Sequence, residues 1–143
     1  MSQAPRDSRR LVIPSEPARI AQADEFIEKA LREHDLPDGL VSDLAIAATE
    51  LVNNAILHGN KKDPSKSVTI LVEFSSGVVM IRVEDQGAGF DPSAVPDPLA
   101  QENLLREVGR GIFIVRSLMD DLTFERVPGG GMAVVLRKSY DPA

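Results

Sequence analysis

Glu50, Asn53 and Asn54 lie in the run ELVNNAILHGN, a carboxylate and two amides in an otherwise apolar stretch. A helix turns about 100° per residue, so positions i, i+3 and i+4 share a face and these three polar groups point the same way. Behind them Leu44, Ala47, Ala48, Leu51, Val52, Ala55 and Ile56 form an apolar wall wide enough to dock the helix on a core. Taken alone, the polar arc also fits the wet side of a core helix.

Two glycine motifs follow. In EDQGAGFD, Glu84 to Asp91, Gly87 and Gly89 lack the Cβ atoms that hold a backbone away from a flat ligand, and both permit φ > 0. Asp85 leads into that turn. Its oxygens suit an adenine amino group, which needs a buried acceptor for specificity, although a tight turn capped by Asp85 accounts for the same residues. Gly109, Arg110 and Gly111 then precede the apolar IFIVRSLM. Glycines opening a helix expose backbone N–H groups at its positive end, where phosphate binds and Arg110 adds charge; a plain helix-start turn is the alternative. Three such motifs in the order helix, strand-end turn and glycine helix start rarely coincide by accident. Together they point to a magnesium nucleotide site.

Composition restricts the other possibilities. A chain of 143 residues suits one domain with a real core. Its net charge of -6 repels phosphate backbones, which argues against direct nucleic-acid binding, and Arg6, Arg9 and Arg10 are too short a cluster to reverse that. The absence of cysteine excludes disulfides, thiolate catalysis and Cys-based zinc sites, and His34 and His58 are too few for a usual catalytic zinc. The N-terminus has no signal-peptide apolar run, and no stretch reads as a membrane span. A soluble cytoplasmic protein with no membrane partner is expected.

The elements that must position the three motifs follow from periodicity. Arg10 to Ile13 suits a first strand, and Glu16 to Glu33 has helical spacing through Ile20, Ala23, Ile27, Ala30 and Leu31. Pro37 and Asp38 open a second helix that runs to about His58, with Gly59 and Asn60 as its stop. Alternation at Val68, Ile70, Val72 and Phe74, the turn Ser75 to Gly77 and the returning VVMIRVED predict a β-hairpin. Pro92, Pro96 and Pro98 punctuate a long connection from Asp91 to Val108. A short helix over Gly109 to Met119 and two strands around a Pro128 to Gly131 turn close the chain. The order β, α, α, β, β, loop, α, β, β predicts an α+β fold, a two-layer α/β sandwich with helices on one face of a mixed, largely antiparallel sheet. The domain spans 9–139, with flexible termini at 1–8 and 140–143.

These motifs resemble the GHKL ATPase superfamily of gyrase, Hsp90, histidine kinases and MutL, which implies its Bergerat ATP-binding fold. ELVNNAILHG is similar to its N box, EDQGAGFD to its G1 box and GRGIF to its G2 box. The PSEPARIAQADEFI opening and the GRGIFIVRSLMDDLTF tail most resemble the anti-sigma factor serine kinases of partner-switching systems, a likeness covering nearly the whole chain.

The resemblance implies ATP and Mg2+ as cofactors and a role for each residue. Asn54 corresponds to the magnesium ligand, and an amide oxygen suits a hard ion that keeps several waters and bridges phosphates. Glu50 corresponds to the catalytic carboxylate. A carboxylate is too weak a base to deprotonate serine beforehand, so it orients the hydroxyl and accepts the proton late. Asp85 corresponds to the adenine reader, Gly87 and Gly89 to the base-contacting turn, Gly109 to Gly111 to the phosphate loop, and Asp91 to Val108 to a lid over the nucleotide. Asn53 is a neighbour in the nucleotide site. Arg19 falls where the kinases direct an arginine at the terminal phosphates, or is a solvated helix charge. His58 matches a histidine common after the N box, or is a structural cap.

One position departs from the family. Where a threonine often follows the last glycine turn, Gly131 is followed here by Met132 and Ala133, and a thioether cannot donate a hydrogen bond. The resemblance implies a STAS-domain anti-sigma antagonist as substrate, a sigma factor as partner and a homodimer. Two further readings stay open: a non-catalytic ATP-binding module of the same fold that regulates another output, and a detached histidine-kinase ATPase domain. The last requires a phosphoacceptor histidine in a dimerisation helix, and neither His34 nor His58 occupies one.

Overall fold

The computed structural model describes residues 7–87 and 111–140, apart from the side chains of 111–114. Five strands form its sheet: β1 (Asp7–Pro14), β2 (Ser67–Ser75), β3 (Val78–Glu84), β4 (Asp121–Arg126) and β5 (Met132–Ser139). They lie side by side in the order β1-β2-β3-β5-β4. Every pairing is antiparallel, so the expected mixed sheet is corrected to a uniformly antiparallel one among the described residues. The hairpin β2–β3 reverses at Gly77, whose φ of 71° suits glycine, and places Ile70 opposite Val83 and Val72 opposite Ile81. Strict alternation puts Val68, Ile70, Val72, Phe74, Val79, Ile81 and Val83 on the buried face.

Helices α1 (Ile20–Arg32), α2 (Asp38–Asn54) and α3 (Gly111–Leu118) complete the described elements. In α1 the buried positions are Ala23, Ile27, Ala30 and Leu31, at the spacing read from the sequence. Its first turn differs from expectation: Pro17–Arg19 is a short 3-10 turn, Pro17 being compatible with a helix start, and the α-helix begins only at Ile20. The whole apolar wall of α2 and its extension is buried. Asp38–Gly59 is long and apolar enough to cross a bilayer by length and composition, which corrects the expectation that no stretch approaches a span. Half of its most apolar 18 residues are buried within the fold, where a core helix must be apolar to stand between α1, α3 and the sheet.

The N-terminal boundary also shifts. Asp7 and Ser8, expected in a flexible start, pair with Phe74 and Glu73 in the sheet. Side chains explain why: His34 stacks on Phe74 with centroids 3.5 Å apart, its Nε2 lies 2.7 Å from Asp7 Oδ2, and Arg9 bonds both Asp7 and Glu33. At the other end Tyr140 donates its N–H to the Gly77 carbonyl at 2.9 Å, prolonging the β3–β5 edge by one residue beyond the expected boundary.

Candidate nucleotide site

α2 does not end as a regular helix. Residues Ala55–Gly59 form a π-helical turn, in which Asn60 N–H reaches back five residues to the Ala55 carbonyl at 2.8 Å. Such wide turns are uncommon and recur at functional sites. Lys61 and Lys62 then take left-handed backbone angles, φ 53° and 60°, and turn the chain toward β2. The widened turn brings Gly59 and Asn60 to the end of the sheet, beside Asp85.

Asp85 is 7 % exposed, and its Oδ1 accepts the N–H groups of Gly87 and Met132, each at 3.1 Å. Burial pushes its carboxyl above the ordinary carboxylate range, and those two N–H donors oppose the shift. Three glycines make the close packing around it possible. A Cβ on Gly59 would overlap the Asp85 carboxylate, one on Gly87 would overlap the Gly59 carbonyl, and one on Gly131 would overlap the Asp85 carbonyl. Gly131 also has φ of 106°, which favours glycine.

Asn60 ties this corner together. It is 2 % exposed, its Nδ2 donates to Ser15 Oγ at 2.5 Å and to the Ser67 carbonyl at 2.9 Å, and its Oδ1 accepts the Gln86 N–H at 2.8 Å. Gln86 Oε1 in turn accepts the Ser67 N–H at 2.7 Å. One buried amide therefore joins the ends of β1, β2 and β3 with its hydrogen-bonding capacity largely filled. Sequence reasoning assigned Gly59 and Asn60 only to a helix stop and Gly131 only to a turn. The signal at Gly59 and Asn60 is the punctuation Gly-Asn after an N-box-like helix, which carries no hint of a partner 26 residues away.

Glu50, Asn53 and Asn54 are half-buried on α2, on the arc expected from their spacing. The Asn54 Nδ2 is buried and without a hydrogen-bond partner among the described residues. That buried N–H donor can be satisfied by an acceptor oxygen such as a phosphate's, while the oxygen of the same amide is the atom whose chemistry suits a hard cation. Among the described residues no three His, Asp or Glu side chains converge, so a magnesium ion here would take few protein ligands, the coordination habit of magnesium with phosphates. The residues fit both parts of a magnesium nucleotide: an acceptor for the base at Asp85 and an amide for the metal at Asn54.

Arg19 is exposed at the entrance to α1. The Thr49 hydroxyl donates to Asp24 Oδ1 at 3.0 Å and Arg32 approaches Asp38 at 3.9 Å, so α1 and α2 run antiparallel. That register sets the N-terminal end of α1, with Arg19, toward the Asn53 end of α2. His58 is exposed. A cleft of about 510 Å3 lies beyond Gly87, lined by Arg126, Val127, Pro128 and Gly129 to Gly131. Gly111 begins α3. Gly89, Gly109, Arg110 and the Asp91 to Val108 connection lie outside the described residues.

Residues 13–138 match the histidine kinase-like ATPase domain. The anti-sigma F factor of Geobacillus stearothermophilus is 33 % identical over 102 residues, covering 70 % of each chain. The serine-protein kinase RsbW of Staphylococcus epidermidis is 31 % identical over 102 residues, covering 66 % of this chain and 64 % of that one. Among solved structures, one containing the RsbU and RsbW domains of a Mycobacterium tuberculosis protein aligns over 96 % of this chain with a TM-score of 0.68. At 16 % identity that match speaks for the fold alone, and this chain spans 33 % of the longer protein.

Proposed function

The chain belongs to the histidine kinase-like ATPase domain family, and from that premise we propose an ATP-dependent protein serine kinase that is also an anti-sigma factor. It binds a sigma factor and phosphorylates a STAS-type antagonist on serine, and the outcome sets which partner it holds. The observation that carries the reading is the pairing of a buried acceptor at Asp85 with Glu50 and Asn54 on the helix whose π-turn packs against it. The family resemblance supports a homodimer, which light scattering checks.

Each residue then has a task. Asp85 accepts the adenine amino group while Gly87, and Gly89 beyond the described residues, let the base approach the backbone. Asn54 holds magnesium through its amide oxygen, with Asn53 beside it. Binding of the phosphates is assigned to Gly109, Arg110 and Gly111 from the glycine motif alone, and Arg19 is assigned to answer the terminal charge from α1. The bound nucleotide supplies the phosphoryl group. Glu50 orients the serine hydroxyl and takes its proton as the serine oxygen bonds to the terminal phosphorus and the bond from that phosphorus to ADP breaks, which a loose transition state permits without prior deprotonation.

Replacing Glu50 by alanine tests the assignment. Transfer to serine stops while nucleotide binding persists; full transfer by the variant removes Glu50 from the chemistry, and no transfer by the unmodified chain to any STAS-domain protein of its genome leaves a binding module.

A further inference from the structure

Ile46 interrupts the polar face of α2. At 52 % exposure it and Val12, at 47 %, are the large apolar side chains that stand open among the described residues. At 100° per residue, Ile46 falls in the middle of the arc occupied by Ser42, Asp43, Thr49, Glu50 and Asn53. Every other large apolar residue of α2 points into or against the core: Val41, Leu44, Leu51 and Val52 are buried and Leu40 packs on them. An isolated exposed isoleucine is ordinarily unremarkable. This one stands a single helical turn, about 6 Å along the axis, from Glu50.

We propose that Ile46 docks the acceptor segment of the protein substrate, receiving an apolar side chain about two residues from the serine that is phosphorylated. The inference rests on the kinase reading given above. If the serine hydroxyl must reach Glu50, the chain that carries it has to cross the exposed face of α2. An extended segment advances about 3.3 Å per residue, so a residue two positions from the serine lies about 7 Å away, over Ile46. An apolar centre within a polar rim is the arrangement in which one contact dominates recognition. The rim also selects. Asp43 and Glu50 flank Ile46 and Asp24 is held beside it by Thr49, so the segment accepted there is one without acidic residues next to its apolar anchor.

The Thr49 to Asp24 hydrogen bond keeps the rim rigid, because it joins α1 to α2 at the turn between Ile46 and Glu50. Val12 provides the control, since it lies on β1, at the opposite edge of the sheet from β4 and on a different element from the site.

The experiment uses the STAS-domain protein of the same genome that the unmodified chain phosphorylates fastest. With Ile46→Asp, KM for that protein rises about ten-fold or more while kcat at saturation and ATP affinity stay within about two-fold. Ile46→Leu retains the original KM, Val12→Asp changes neither constant, and all three variants keep the parent's melting temperature within a few degrees. Binding measured without turnover, in the presence of a non-hydrolysable ATP analogue, weakens by the same factor with Ile46→Asp. Exchanging the apolar residue near the acceptor serine for aspartate raises KM for the unmodified kinase and adds little in the Ile46→Asp background. An unchanged KM with Ile46→Asp, or an equal rise with Val12→Asp, overturns the docking role. Transfer that survives Glu50→Ala overturns the catalytic assignment separately, and absence of any transfer by the unmodified chain overturns both.

Discussion

Asp85 and Met132 hold each other twice: the Met132 N–H donates to Asp85 Oδ1 at 3.1 Å, and the Met132 carbonyl accepts the Asp85 N–H at 2.9 Å. The residue that replaces the family's threonine thus contributes through its main chain, which any amino acid except proline supplies. Its side chain is buried. Methionine lacks the threonine hydroxyl while the main chain still orients the carboxylate, so under the proposed reading Met132→Thr is expected to raise ATP affinity by only a few-fold, read by calorimetry. A loss of affinity with that variant would show that the buried thioether is itself required.

Asp85→Asn retains size and replaces an acceptor oxygen by an amide donor. Two backbone N–H groups already need Oδ1, so the other end presented to the base becomes a donor facing a donor. ATP binding is expected to weaken about ten-fold or more, with GTP gaining relative to ATP. Unaltered nucleotide preference would dissociate Asp85 from the base.

The same carboxyl gives a pH dependence with opposite signs for stability and binding. Its folded pKa is raised by burial, so the stability linked to it is present below the unfolded value and is lost as pH rises through the folded one. With the ionised carboxylate as the proposed acceptor of the adenine amino group, ATP affinity is expected to fall as pH drops through that same raised value. Asp7, Asp63 and Asp120 titrate below the usual range through their hydrogen bonds and contribute in the other direction, stability being lost as pH falls through their lowered values. The informative measurement is therefore the difference between the parent and Asp85→Asn in urea melts and ATP titrations across the acid range.

Gly59→Ala would drive a methyl group into the Asp85 carboxylate. Overpacking of this kind costs about 1–3 kcal/mol, and here it also displaces the adenine acceptor. Denaturant midpoints and ATP affinity are expected to fall together, whereas Gly129→Ala, which meets open space but has φ of 91°, costs stability through backbone strain and leaves the Asp85 carboxylate in place.

Asn60→Ala leaves the Gln86 N–H and the Ser67 carbonyl without their side-chain partner and frees Ser15 Oγ in a buried pocket. A loss of about 2–3 kcal/mol in urea unfolding is expected, with Asn60→Asp little better because a carboxylate cannot donate to Ser15 or Ser67.

How much of this was legible in the sequence follows from where each signal resides. The apolar wall of α2 and the alternation of β2 and β3 are local patterns, and their residues are buried as read. The helix start is less local: Pro17 is compatible with one, yet Pro17–Arg19 forms a 3-10 turn and the α-helix begins at Ile20. What escaped was contact between distant segments. Nothing near Gly59 announces Asp85, nothing near Asp7 announces His34 and Phe74, and the uniformly antiparallel sheet rests on pairings between segments far apart in the chain, β1 with β2 and β3 with β5. The mixed sheet was expected from composition of elements alone, which does not determine strand direction. Asp85 and Gly87 were visible because they belong to a glycine motif that falls in order between two others, while Gly59 and Gly131 are indistinguishable from ordinary stop and turn residues until the fold brings them to Asp85.

In the proposed reading Glu50 handles the serine hydroxyl while Asp85 and Asn54 hold the nucleotide. Phosphate transfer from radiolabelled ATP to the STAS-domain substrate, measured beside calorimetric ATP binding for Glu50→Ala, tests it most directly. Transfer is expected to fall by two orders of magnitude or more, about the size of a general-base contribution, with ATP affinity within about three-fold of the parent. Transfer at the parent's rate by Glu50→Ala would contradict it.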